Sequence, residues 1–89
     1  MRLHGNVISQ ADERILEFLD EFGNYPPTAI RDSLAERGME YTPQHLGLRC
    51  RELAKLGLTV NVGGGTYAIT DEGRAFLAGD LDAGTLDAE

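Results

Sequence analysis

Eighty-nine residues make one small domain, and a 42% apolar content is that of a folded chain rather than a disordered one. No apolar run approaches the roughly 20 residues of a membrane span, and a single cysteine excludes an internal disulfide. The formal charge of −7 opposes nucleic-acid binding at first sight.

Its distribution points the other way. Residues 41–69 hold Arg49, Arg51 and Lys55 against Glu52, a net +2, so the remainder of the chain carries −9. Positive charge is gathered on one segment and acid is spread over the rest. Of the eight basic residues only Lys55 is lysine, and a lysine-poor, acid-rich surface suits a protein working in concentrated salt.

In chain order, residues 1–8 form a lead-in without the apolar core of a signal peptide, which makes the cytoplasm the expected location. Their apolar end, Val7-Ile8, is placed to dock. Ser9 then caps a helix, with Asp12 three residues on and Asp12-Glu13 in its first turn. Ala11, Ile15, Phe18 and Phe22 recur at helical spacing, Leu16 and Leu19 widen the stripe, and Gly23 ends it. Glu13, Glu17, Asp20 and Glu21 read as its solvated face. Asn24-Tyr25-Pro26-Pro27 is a turn into a second helix from about Pro27 to Arg37, terminated by Gly38. The connection 38–41 allows a turn or a very short strand.

Thr42 caps the third helix and Pro43 occupies its first turn, where a missing N–H costs nothing. Gly57 follows its last turn, giving a helix over 42–56. At 100° per residue Leu46, Cys50 and Leu53 share an inner face, with Ala54 at its edge. Gln44, Leu48, Arg51 and Lys55 share the opposite face, flanked by His45 and Glu52. Beyond Gly57 the period changes to two. Leu58–Val62 and Thr66–Ile69 alternate around Gly63-Gly64-Gly65, which makes a β-hairpin. Thr70 caps a last helix, Asp71–Ala78, and Gly79 ends it. The order helix, helix, helix, hairpin, helix defines a winged helix-turn-helix, a mainly α fold with a small hairpin. Residues 1–79 form this domain, and 80–89 are an acidic tail.

An inner face of leucines and an outer face of amide and guanidinium groups suit a helix that enters a DNA major groove. Arg51 can bond a guanine edge bidentately, Gln44 an adenine edge, and Leu48 can meet a thymine methyl. Lys55 supplies a further cationic contact. Arg49 lies about 60° off the core direction, open to either a phosphate or an ion pair with an acid of the first or second helix. His45 has a DNA contact and plain solvation as its two alternatives. The N–H groups beside Thr42 can hold a phosphate. Cys50 reads as a buried thiol. The glycine tip lacks the Gly-Lys-Ser/Thr ending of a nucleotide loop. As a wing it carries no Arg or Lys, leaving Asn61, Gly64 and Thr66 as auxiliary contacts or a shape element. His4, His45 and Cys50 lack metal-ligand spacing, and no nucleophile–base set can be assembled, so no metal, cofactor or enzymatic activity is expected.

Three segments also resemble the haloarchaeal phage phi-H repressor-like winged-helix family. They are Asp12–Leu19, Arg49–Leu53 running to Gly57-Leu58, and Tyr67–Leu77 with its Tyr-x-Ile-Thr-x-x-Gly pattern; the likeness covers roughly 9–82. The resemblance implies a DNA-binding transcriptional regulator, often a repressor, in a cytoplasm rich in potassium chloride. The expected form is a homodimer on double-stranded DNA, joined through the first helix with the N-terminal arm or residues 71–86. The alternative is a winged helix that binds another protein and no DNA.

Overall fold

A computed structural model describes residues 8–79 of the chain. The elements are α1 (Gln10–Phe22), α2 (Pro27–Glu36), α3 (Pro43–Lys55), β1 (Thr59–Gly63), β2 (Thr66–Ile69) and α4 (Asp71–Ala78). This is the expected winged helix-turn-helix order. The lead-in up to Val7 and the acidic tail 80–89 lie outside the described residues; Ile8, the last lead-in residue, is buried in the core.

Helix boundaries follow their local chemistry. Ser9 Oγ accepts from the Asp12 N–H while the Asp12 carboxylate accepts from the Ser9 N–H, a complete capping box. Thr42 Oγ1 accepts from the His45 N–H at 3.1 Å and Thr70 Oγ1 from the Gly73 N–H at 3.1 Å. α3 ends with Gly57 at φ +81°. The Gly57 N–H donates to the Ala54 carbonyl and the Leu58 N–H to the Leu53 carbonyl, the paired closing bonds that a left-handed glycine permits.

The core is one cluster. Ile15, Leu16 and Leu19 of α1, Ile30 and Leu34 of α2, Leu46, Cys50 and Leu53 of α3, Leu58, Ile69 and Phe76 are all buried. Burial of each such side chain stabilises by about 1.5–3 kcal/mol, and α3 is held by the inner face its periodicity predicts. Phe22 departs from its expected core position and is 46% exposed. It is the last residue of α1, its ring 4.9 Å from Phe18 and capped by the Arg37 guanidinium.

The alternation of the first strand leaves open which side faces the core. Thr59 pairs with Ile69, Val60 with Ala68 and Asn61 with Tyr67, and Val62 is an extra residue before Gly63 meets Thr66. Val60 and Val62 are 46% and 53% exposed while Thr59 is 2% exposed. Leu58, just ahead of the strand, takes the core site instead. Thr59 can then be buried because its hydroxyl donates to the Cys50 carbonyl at 3.1 Å. Tyr25, assigned to a turn, instead exchanges two backbone hydrogen bonds with Tyr67 at 3.1 Å and adds a one-residue third strand beside β2. A turn closes α2 at Arg37-Gly38, and residues 39–42 are irregular rather than a strand.

α4 seats on the base of the hairpin through Gly73. A Cβ there would collide with the Leu58 carbonyl oxygen and lie 2.6 Å from Ile69 Cγ1. Thr70 completes the joint, donating its hydroxyl to the Gly57 carbonyl at 2.6 Å and its N–H to the Leu58 carbonyl at 3.1 Å.

Candidate nucleic-acid interface

α3 is wedged against α1, α2 and β1 by its apolar side. Its other side is open: Gln44, His45, Leu48, Arg51 and Lys55 are all exposed. Leu48, at 44% exposure, is the large apolar residue of this face. The Lys55 ammonium lies 3.1 Å from Glu52 one turn back, with 57% of its side chain in solvent. A surface pair of this kind contributes well under 1 kcal/mol and yields to a stronger anion. The face therefore presents one amide, one guanidinium, one ammonium and one isobutyl group, without the acids of α1 or α4 locked across them.

Arg49 takes the ion-pair alternative left open by its position. Its Nε and Nη2 each donate to Asp12 at 2.7 Å, one to each carboxylate oxygen. Asp12 is fully buried and also accepts from the Ser9 N–H at 2.9 Å. One carboxylate thus closes the start of α1 and clamps α3 to it. The Asp12 hydrogen bonds raise the Arg49 pKa above its usual value, outweighing the opposing effect of burial. Asp12 was legible as a first-turn acid; its partner 37 residues away was not. Arg49 accordingly serves the fold through this pair, which is one of the two alternatives its position left open.

His45 projects from the first turn of α3, stacked on Tyr41 with ring centroids 6.1 Å apart. The two rings and Arg49 line one side of an open hollow of about 390 Å³; Ser9, Gln10 and Ala11, at the start of α1, line the other. Thr42 is exposed beside it, its hydroxyl engaged in the cap. Cys50 is completely buried and its thiol is pushed up to about 12 by desolvation, so it carries no thiolate at neutral pH and packs as a small apolar group.

Gly64 and Gly65, at φ +62° and +79°, form the tip of the wing, a turn that requires glycine or Asn/Asp. Asn61 Oδ1 accepts from the Gly63 N–H at 2.8 Å, so its carbonyl end closes the bulge and its amide nitrogen faces outward as the remaining polar group. Thr66 is half-buried and Gly64 exposed. Val60 and Val62 give the hairpin an apolar outer face.

Comparison with known proteins decides the family. A model of the winged helix-turn-helix phage repressor family matches residues 1–89. The chain belongs to that family. Among solved structures it is similar to the PhiH1 repressor-like protein from Haloarcula marismortui, with 34% identity over 97% of this chain and 94% of that one, at a TM-score of 0.87. It is also similar to hsRosR-S1, in a structure described as a complex, with 28% identity over 83% of this chain and 70% of that one, at a TM-score of 0.68. No curated protein matches.

This family member contains, among its described residues, no group of three or more His, Cys, Asp or Glu side chains able to hold a metal ion. No helix in the same residues is long and apolar enough to cross a membrane.

Proposed function

We propose that this phage repressor family member is a DNA-binding transcriptional repressor of the concentrated-salt cytoplasm, acting as a homodimer that inserts α3 into the major groove. The observation that carries the reading is the outward face of α3, where Gln44, Leu48 and Arg51 are exposed together with Lys55. Arg51 reads guanine through two parallel hydrogen bonds, Gln44 reads adenine, and Leu48 packs on a thymine methyl; each good bidentate pair discriminates by about 1–3 kcal/mol. Lys55 and His45 take phosphates, as do the N–H groups next to Thr42 at the positive end of the helix. Asn61, Gly64 and Thr66 make the wing an auxiliary contact. It bears no cation, so it contributes shape and hydrogen bonds more than charge.

Residues 1–79 act as the DNA-binding domain and 80–89 as an acidic appendage. The dimer seam combines α1 with the N-terminal arm or residues 71–86. Two-fold symmetry then sets the two copies of α3 in successive grooves about 34 Å apart on a near-palindromic site.

The test starts from a duplex selected by the unaltered protein out of a random-sequence pool. Arg51→Ala combined with Lys55→Ala should lower affinity for it by 100-fold or more and leave the melting temperature within a few degrees. Affinity of the unaltered protein should fall with added salt at a log–log slope of roughly −3 to −4 per subunit. Selection of no duplex, or full binding by the double variant, refutes the reading in favour of a protein-interaction module.

A further inference from the structure

Gly47 sits in the interior of α3, where glycine is a costly residue relative to alanine. Two structural reasons ordinarily retain a glycine. One is a positive φ; Gly23, Gly38, Gly57, Gly63, Gly64, Gly65 and Gly79 all have one. The other is a neighbour too close for a Cβ, as Leu58 and Ile69 are at Gly73. Among the glycines of the described residues, Gly47 alone has neither. Its backbone is helical, and the nearest group a Cβ would meet is Arg51 Nη1 at 3.6 Å, an ordinary van der Waals distance to a mobile, exposed side chain. Nothing among the described residues therefore requires glycine at position 47.

Its place on the helix suggests what does. At 100° per residue Gly47 lies about 40° from Arg51, on the flank of the outward face, and it is half-exposed. A helix with its side chains is about 10–12 Å across and the major groove about 12 Å wide. Flank positions thus press on the groove walls, which are sugar–phosphate backbone, while the centre of the face meets base edges. We propose that Gly47 is the point where one strand of the duplex approaches the α3 main chain most closely, and that its missing Cβ sets how deeply the helix seats. Seating depth in turn decides whether Gln44 and Arg51 reach base edges or stop short at phosphates. The inference rests on the reading of α3 as the groove-entering helix.

The experiment compares full-length Gly47→Ala and Arg51→Ala on the selected duplex and on a duplex of unrelated sequence, with thermal unfolding of each protein. Gly47→Ala should melt at the same or a higher temperature, bind the selected duplex at least tenfold more weakly, and lose much less on the unrelated one. Unchanged binding by Gly47→Ala while Arg51→Ala is impaired overturns the role of Gly47 and leaves α3 as the reading helix. A lowered melting temperature for Gly47→Ala also overturns it, since glycine would then serve the fold. Unchanged binding by both variants defeats the α3 reading and this inference together.

Discussion

Arg49 and Arg51 stand two residues apart on one helix and have different fates. Arg49 is turned toward α1, where a fully buried carboxylate accepts from its Nε and Nη2 at 2.7 Å. Arg51 is exposed on the opposite side. The seam of α3 consumes its charge in holding the helix to the body; the outer face leaves charge for a partner. Net charge is thus a poor guide here, because the −7 of the whole chain says nothing about which guanidinium remains available.

Four variants sharpen that contrast, from the largest effect to the smallest. Arg49→Met leaves the buried Asp12 without its cation, and removing one partner of such a pair costs about 3–5 kcal/mol. Chemical denaturation should register that loss. Replacing both partners, Asp12→Leu with Arg49→Met, should recover much of it, since two apolar side chains leave no buried charge behind. A double variant no more stable than Arg49→Met would mean that the capping-box role of Asp12, rather than the pair, dominates the seam.

Thr42→Ala lies at the boundary between seam and face. Loss of the cap to the His45 N–H should cost about 1 kcal/mol of unfolding free energy, with a modest drop in affinity because the first turn of α3 frays. Lys55→Ala should be nearly silent in stability, within about 0.5 kcal/mol. Its signature is instead a salt dependence of DNA binding shallower by about one unit of slope. An unchanged slope would remove Lys55 from the phosphate contacts.

Most of the architecture was legible because its determinants are local. Ser9, Thr42 and Thr70 cap helices through bonds to residues three positions on, and such signals survive in a bare sequence. The 3.6-residue repeat identified the buried side of α3 through Leu46, Cys50 and Leu53. The hairpin was located correctly, but which face of its first strand turns inward was not legible. Alternation gives a period, and only packing tells which phase is inside. Leu58 occupies the core from just outside the strand, and the Thr59 hydroxyl finds a carbonyl on α3.

By itself, the sequence determined the order of elements, the helix ends, the hairpin tip and the outward set of Gln44, Leu48, Arg51 and Lys55. Each of these depends on neighbours within a turn or two of the chain. Tertiary structure decided the pairing of Arg49 with Asp12, the bridge from Tyr25 to Tyr67, the outward valines of the wing and the absence, among the described residues, of any contact that requires Gly47 to be glycine. Those outcomes join residues far apart along the chain, or rest on space that no local spacing specifies. They are settled only when the layers close on one another.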